Sequence, residues 1–177
     1  MQLIDQVKSA IRDVDGYPRP GIVFRDITPV LADPELMDQI IRYLVASYSD
    51  KKIDAVAAIE ARGFILGSIL AYELGCGFIP LRKAGKLPFH TRKQQYDLEY
   101  GSAEIEVHTD AIKSGSRVLV HDDLLATGGT ACAAGKLIQS FGGELAGFSF
   151  LINLSFLPGA KNLTEQFGLA PDFLIKY

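Results

Sequence analysis

Three features of the sequence predict an α/β fold with a central, mostly parallel sheet flanked by helices. Segments 53–59 and 117–120 are nearly unbroken apolar runs, which are typical of strands buried on both faces. Segments 64–74 and 131–141 are predicted helices, and each ends at a glycine. Strands that alternate with helices in this way form a parallel sheet that is covered on both faces.

The N-terminal part of the chain is predicted to hold two helices joined by a loop. Apolar residues at helical spacing predict a short amphipathic helix over 2–12, which ends in a stretch rich in Pro and Gly. Segment 21–28 is expected to be a loop or a short extended piece. Asp33 suits an N-cap and Pro34 the first helical position, so a second helix is predicted from there to about residue 48.

The remaining elements follow in alternating order. In such folds ligands bind beyond the carboxyl ends of the strands, so the turns after residues 59, 81 and 120 are the expected places for chemistry. Predicted strands cover 53–59, 77–81, 103–107, 117–120 and 145–154, predicted helices cover 64–74 and 131–141, and predicted turns or loops cover 60–63, 82–101 and 122–130.

Length and composition exclude several classes of protein. The 177 residues fit one domain, 1–177, and 48% hydrophobic with 22% charged residues is the balance of a globular protein. A net charge of -3 argues against nucleic acid as a partner. No apolar run reaches the roughly 20 residues that span a bilayer, so no membrane partner is expected. The charged N-terminal segment and the two cysteines without a pairing pattern predict a cytoplasmic protein with reduced thiols.

Segment 122–130 is the most informative stretch, because it joins a buried strand to a helix. Its glycines let backbone N–H groups close around a phosphate, and the helix N-terminus adds partial positive charge. Asp122 and Asp123 can accept hydrogen bonds from vicinal sugar hydroxyls or hold a hydrated Mg²⁺. Thr127 and Thr130 add hydroxyl donors. The segment therefore suits a ribose phosphate, and the alternative is a strand end followed by an ordinary glycine turn.

Other ligand motifs do not fit the spacing. The nearest approach to a P-loop has the wrong spacing and ending, and no G-x-G-x-x-G follows a strand. The three histidines have no ligand spacing with the cysteines, which argues against a zinc site. Cys132, in the first turn of a predicted helix, is interpreted as a packed thiol.

A basic cluster lies in the predicted loop that follows residue 81. It contains no acid between its first and last members, so it creates a local positive field in a net-acidic chain. The alternatives are a solvated loop or a weak patch for nucleic acid. The cluster consists of Arg82, Lys83, Lys86, Arg92 and Lys93.

The order of the motifs resembles the type I phosphoribosyltransferases. The stretch Asp-Asp-Leu-Leu-Ala-Thr-Gly-Gly-Thr at 122–130 is similar to their binding motif for phosphoribosyl pyrophosphate, in the form of the adenine-specific members. Segments 20–29, 60–64, and 82–88 with 98–101 match the same branch. The resemblance covers nearly the whole chain, in the order and spacing of the family.

This resemblance implies a fold and a reaction. The fold is the type I phosphoribosyltransferase fold with a small hood over the base site, formed by about 1–30 with part of the C-terminal region. The reaction joins adenine to phosphoribosyl pyrophosphate, gives AMP and pyrophosphate, and serves purine salvage. Mg²⁺ is the implied cofactor, bound through the substrate with Asp122 and Asp123 as further ligands. A homodimer is the implied assembly.

The resemblance also implies roles for individual residues. Glu99 is the implied acid/base partner of a purine ring nitrogen, and Tyr100 positions the lid or the pyrophosphate. The 82–101 segment is implied to be a mobile lid, and the turn at Ala61 is implied to contain a non-proline cis peptide. Catalytic residues are Glu99, Tyr100, Lys86 and Arg62; ribose phosphate is bound by Asp122, Asp123, Ala126, Thr127, Gly128, Gly129 and Thr130; pyrophosphate by Ala61, Arg62, Arg82, Lys83 and Lys86; and adenine by Val23, Phe24, Arg25 and Leu154.

The chain departs from the family pattern at three places, all outside the phosphate motif. His121 replaces a usually apolar residue, Asn153 replaces a frequent Glu, and an Arg that is common after Gly159 is absent. Two alternatives remain at this point. One is a phosphoribosyltransferase for another base, and the other is a non-catalytic regulator that senses phosphoribosyl pyrophosphate.

Overall fold

The chain divides into two compact units, Met1–Ala46 and Ser47–Tyr177. The structure is a computed structural model, and it describes residues 2–97 and 101–177. Within the described residues, no helix combines the length and the apolar character that crossing a membrane requires. The prediction of one domain with a hood stays a prediction.

The N-terminal unit combines helices with a small two-stranded sheet. Helix α1 (Leu3–Ala10) leads into strand β1 (Arg12–Asp15), which pairs antiparallel with β2 (Val23–Asp26). A short helix α2 (Thr28–Leu31) follows, and α3 (Pro34–Tyr48) begins in this unit. The Asp33 carboxylate accepts the backbone N–H groups of Glu35 and Leu36 at 3.0 Å, so the predicted N-cap of α3 is confirmed.

One prediction for this unit needs correction, because the first helix ends at Ala10 rather than at residue 12. Segment 21–28, expected to be a loop or a short extended piece, contains the short strand β2 and the start of α2. Gly16 and Gly21 both have positive φ, of 73° and 86°, and they lie between the two strands. The chain therefore folds back on itself, and residues 12–15 pair with β2 instead of extending the helix.

The second unit contains a mixed seven-stranded sheet with the order β5-β6-β4-β3-β7-β8-β9. The five strands from β4 to β9 in that order pair in parallel, while β6 pairs antiparallel with both β4 and β5. The predicted class, a mostly parallel sheet flanked by helices, is confirmed. The elements are β3 (Ala55–Ile59), α4 (Gly63–Glu73), β4 (Gly77–Lys83), β5 (Thr91–Asp97), β6 (Ser102–His108), β7 (Arg117–Leu125), α5 (Gly129–Ser140), β8 (Glu144–Asn153), α6 (Gly159–Phe167) and β9 (Asp172–Lys176).

Helices α4 and α5 cover opposite faces of this sheet. Alternate residues of β7, such as Val118 and Val120, join the apolar cluster that contains the buried side of α5. His121, which follows Val120, faces α4, where a Cβ on Gly67 would lie 3.3 Å from the imidazole. The central strands are therefore enclosed on both sides, and polar side chains lie at their carboxyl ends.

Two elements of this unit, β5 and β7, differ from the prediction, and two others had no prediction. Residues 91–97 lie in strand β5 rather than in a loop, because they pair with β6 along the whole strand. Strand β7 continues to Leu125, so the two aspartates lie in a strand and the turn begins only at Ala126. Helix α6 and strand β9 had no prediction from the sequence pattern.

Candidate functional site

The two aspartates of β7 lie side by side at the carboxyl end of the strand, close to the turn that follows β3. The Asp123 amide donates to Asp122 Oδ1 at 2.8 Å, and Arg62 Nε lies 2.8 Å from Asp123 Oδ2. A Cβ on Gly63 would come within 2.9 Å of Asp122 Oδ1, so only glycine allows this close approach. The turn after β3 and the end of β7 therefore form one continuous surface.

This acidic pair has unusual electrostatics. Burial raises the pKa of the Asp122 carboxyl well above its ordinary value, and the charge of Asp123 raises it further. Burial also raises the pKa of Asp123, although the Arg62 guanidinium opposes this effect. Two adjacent carboxylates with raised pKa values would gain from a cation or from hydroxyl donors, so the pair suits a ligand that supplies either.

The loop after β7 is shaped to surround an anion. Gly128 has φ of 85°, and helix α5 begins at Gly129 without a side-chain cap on its first N–H groups. Such free N–H groups at a helix N-terminus bind phosphate. The residues from Ala126 to Ala131, together with Asp122, Leu124, Leu125 and Phe150, line a cavity of about 100 Å³.

Helix α6 supports the loop from behind. The Asn162 side-chain amide donates to the Thr127 carbonyl at 2.9 Å, and the Gly159 amide donates to the Ala126 carbonyl at 3.1 Å. A Cβ on Gly128 would lie 3.0 Å from the Gly159 Cα, so both glycines are needed for this packing. The sequence analysis missed Asn162 and Gly159 as parts of the site, because they lie on a helix that had no prediction.

A second cavity, of about 140 Å³, adjoins the first at the ends of β3 and β4. Asp122 and Thr130 line both cavities, so the two are neighbours. The peptide bond between Glu60 and Ala61 is cis, as the sequence analysis expected. The lining residues of this second cavity are Ile59, Glu60, Leu81, Lys83, Tyr96, Ile105, Asp122 and Thr130.

The predicted basic cluster divides into two groups. Arg82 Nε lies 2.7 Å from Glu60 Oε2, and the exposed Lys83 lines the second cavity. Arg92 instead hydrogen-bonds to Ser140 at the end of α5, and its guanidinium lies 4.0 Å from the Phe141 ring centroid. The structure therefore brings Arg82 and Lys83 to the site, whereas Arg92 attaches β5 to α5.

Five predicted site residues lie outside the described part of the second unit. Glu99 and Tyr100 lie outside the described residues. Val23, Phe24 and Arg25 belong to the N-terminal unit. There the Phe24 ring meets Tyr17 edge-on, with centroids 5.2 Å apart. Their predicted roles stay predictions.

Three further predicted residues have a defined place. Leu154 follows β8, and its amide donates to the Leu125 carbonyl at 3.0 Å. Ala61 and Lys86 are both exposed, the first in the turn after β3 and the second in the connection after β4. Ala61 and Lys86 follow β3 and β4, two of the strands after which chemistry is expected, whereas Leu154 follows β8.

Two of the three departures from the family pattern, His121 and Asn153, are buried, whereas Ala160 and Lys161 after Gly159 are not. His121 is fully buried, and its Nδ1 lies 3.2 Å from Ser149 Oγ. Burial lowers its pKa to about 4, so the imidazole is neutral at pH 7. Asn153 is 3% exposed at the end of β8. Neither residue belongs to the apolar cluster that contains α5, and His121 lies against Gly67 of α4 instead.

Comparison with known proteins agrees with this geometry. A family model described as "Phosphoribosyl transferase domain" matches residues 27–162. The chain is 52% identical over 160 residues to the adenine phosphoribosyltransferase of Methylococcus capsulatus, across 90% of this chain and 94% of that relative.

Solved structures give the same result. The crystal structure of adenine phosphoribosyltransferase from Thermoanaerobacter pseudethanolicus has a TM-score of 0.94 at 46% identity and covers 98% of this chain and 99% of its own. The Saccharomyces cerevisiae enzyme, complexed with adenine and an imino-altritol bisphosphate, has a TM-score of 0.89 at 36% identity and covers 97% and 98%. The chain therefore belongs to the phosphoribosyltransferase family, and within it to the adenine phosphoribosyltransferases.

Proposed function

We propose that this chain is a purine salvage enzyme that converts adenine and phosphoribosyl pyrophosphate into AMP and pyrophosphate. The observation that carries the proposal is the pair of adjoining cavities that share Asp122 and Thr130. One cavity has acidic acceptors beside a ring of backbone donors, and the other is lined by Lys83. This arrangement matches a substrate with a ribose, a 5′-phosphate and a second, denser anion.

The loop after β7 holds the ribose phosphate. Backbone N–H groups of the segment from Ala126 to Thr130, with the hydroxyls of Thr127 and Thr130, donate to the phosphoryl oxygens. Asp122 and Asp123 accept the vicinal hydroxyls of the sugar. Because the loop is supported by α6, these donors are fixed before the substrate arrives, which favours alignment of the reacting groups.

The cationic groups at the ends of β3 and β4 receive the leaving group. Arg82, Lys83 and Lys86, with the turn at Ala61 and Arg62, stabilise the charge of the departing pyrophosphate. Arg62 also contacts Asp123, so it links the sugar side of the site to the pyrophosphate side. Through this contact, Arg62 is close to the groups that bind the sugar and to those that bind the pyrophosphate.

Magnesium fits the donor set as a substrate-bound cofactor. Mg²⁺ prefers oxygen ligands, keeps several waters, and is usually held by one or two carboxylates together with substrate phosphates. Asp122 and Asp123 provide two such carboxylates, and no group of three or more potential ligands occurs among the residues that the structure describes. When bound, Mg²⁺ neutralises charge on the pyrophosphate.

The chemical step is a displacement at the anomeric carbon. A bond forms from a ring nitrogen of adenine to that carbon as the bond to the pyrophosphate oxygen breaks, and the electron pair leaves with pyrophosphate. Glu99 takes the proton of the base, and Tyr100 positions the pyrophosphate. Val23, Phe24, Arg25 and Leu154 hold the adenine. The proposal includes a homodimer in the cytoplasm.

Pyrophosphate release, measured with adenine, hypoxanthine, guanine and orotate in turn, tests the proposal. We expect release with adenine and at most a trace with the other bases. Turnover with another base alone would move the chain to a different phosphoribosyltransferase. Binding of phosphoribosyl pyrophosphate without turnover of any base would favour the regulator.

A further inference from the structure

Glu106 is a buried carboxylate that neither the sequence motifs nor the proposed chemistry uses. It lies in strand β6 and is 1% exposed. Its Oε1 accepts the backbone N–H groups of Lys86 and Leu87 at 2.9 and 3.0 Å. Its Oε2 accepts the hydroxyl of Thr91 at 3.1 Å. A charged group this deeply buried persists only when its oxygens are satisfied, as they are here.

These contacts hold the connection between β4 and β5. Further bonds act on the same segment: Arg82 donates to the Lys86 carbonyl at 3.0 Å, and the Ala84 amide donates to the Glu104 carbonyl at 3.1 Å. Although desolvation opposes it, hydrogen bonding from Leu87, Thr91 and Lys86 lowers the pKa of Glu106. The carboxylate is therefore ionised at neutral pH and binds its donors strongly.

The donors to Glu106 are backbone amides and a hydroxyl, and none is an ammonium group. Within the described residues, no ion pair joins Lys83 or Lys86 to an acid. A carboxylate that fixed this segment through a lysine side chain would neutralise that lysine. Glu106 fixes the backbone and leaves both charges available to an anion.

We propose that Glu106 is a positioning residue, which holds the 84–87 backbone so that Lys83 and Lys86 face the pyrophosphate side of the site. The inference rests on the proposed function, because it assigns the anion that these lysines meet. Glu106 itself touches no substrate. Its loss should therefore weaken the pyrophosphate end of the site and spare the ribose phosphate end.

Two variants of Glu106 separate geometry from charge. Glu106→Gln keeps an oxygen that accepts from Lys86 and Leu87, whereas Glu106→Leu removes both acceptors. The matched control is Glu104→Leu, which removes an exposed carboxylate two residues earlier in the same strand. The reaction is followed in reverse, with AMP and inorganic pyrophosphate, so that KM is measured for each end of the site.

We expect Glu106→Leu to raise KM for pyrophosphate about tenfold, since hydrogen bonds to a charged group are lost. KM for AMP should stay within about twofold, as for a change remote from that ligand. Glu106→Gln should keep KM for pyrophosphate within about threefold of the wild-type value, and Glu104→Leu should match wild type. In Glu106→Leu, amide hydrogen exchange at Lys86 and Leu87 should accelerate, and in Glu106→Gln it should stay slow.

An unchanged KM for pyrophosphate in Glu106→Leu would overturn the proposal, as would an equal rise in both KM values. If Glu106→Leu does not fold, Thr91→Val carries the test, with an expected rise of about threefold from the loss of one donor. Failure of the wild-type enzyme to consume AMP with pyrophosphate would instead refute the proposed function. The amide exchange at Lys86 and Leu87 would still report whether Glu106 holds the segment.

Discussion

Two sites in the second unit bury carboxyl groups, and they differ in how those groups are satisfied. Glu106 accepts three donors, and its pKa is lowered. Asp122 and Asp123 share one amide and one arginine, and burial raises the pKa of both. A carboxylate whose oxygens all have hydrogen-bond donors has a structural role, whereas a pair of carboxyl groups with few donors is suited to binding a ligand. If this distinction holds, substitutions at the two sites should have different effects on activity and on stability.

Removing the charge of Asp123 tests the acidic pair as a ligand site. Asp123→Asn should reduce kcat/KM for phosphoribosyl pyrophosphate about 10- to 100-fold, since a charge-assisted hydrogen bond to the sugar is lost. The variant should remain folded, because burial raises the pKa of Asp123 and its ionisation is therefore expected to add no stability. Steady-state kinetics and thermal unfolding check both parts. Unaltered kinetics would remove Asp123 from the site.

His121 extends the comparison to a buried group that is neutral at pH 7. Its pKa of about 4 lies below the ordinary 6.5. As the pH falls, the unfolded state therefore binds the proton at a higher pH than the folded state does. Stability is therefore fully present above about pH 6.5 and falls by about 3 kcal/mol toward pH 4. Urea unfolding across this range measures the loss. His121→Leu should abolish this contribution, whereas the exposed His90→Leu control should keep it, and a wild-type slope in His121→Leu would be contrary to this account.

The exposed Lys86 tests whether the segment held by Glu106 serves catalysis. Lys86→Ala should lower kcat about tenfold. This loss is smaller than the loss expected on removing a buried donor, because Lys86 stabilises the leaving group from an exposed position. Its effect on adenine binding should be smaller, since the base lies elsewhere. Rates measured at varied adenine concentrations give kcat and the KM for adenine separately. Arg92→Ala serves as the control, because Arg92 contacts α5 instead of the site.

The smallest effect is on stability, and its sign should differ between the two carboxyl sites. Asp122→Asn should raise the thermal midpoint at pH 7, because a raised folded pKa means that ionisation destabilises the fold as pH rises. Glu106→Gln should lower it, because a lowered folded pKa contributes stability above the unfolded pKa. Calorimetry at pH 7 measures the change in thermal midpoint for both variants. Equal signs would show that the two sites do not differ as described.

The sequence predicts the parts of the site that are local in the chain. The acids, the glycines and the helix after β7 lie within one short segment, so their spacing alone indicates a phosphate loop. The cis peptide at Ala61 came from family resemblance, and the structure has it. The features of segment 122–130 depend on neighbouring residues, so the sequence displays them directly, whereas the cis peptide was known only as an implication of the resemblance.

The parts that depend on distant contacts were missed. In the alternating segment 103–107 nothing marks Glu106 as buried, because the chain that covers it lies in the connection after β4. Strand β5 is polar and was expected to be a loop, but pairing with β6 and packing of Tyr96 on the core fix it. Asn162 reaches Thr127 from helix α6. Tertiary contacts determine the burial of Glu106, the strand conformation of β5 and the position of Asn162, and local sequence patterns do not reveal such contacts.

The central claim is that the loop from Ala126 to Thr130 and the adjacent aspartates bind one ribose phosphate together. A crystal structure with AMP tests it most directly. The account predicts the 5′-phosphate on the loop amides, with the ribose hydroxyls on Asp122 and Asp123. AMP bound at another place, with this loop free of phosphate, would contradict it.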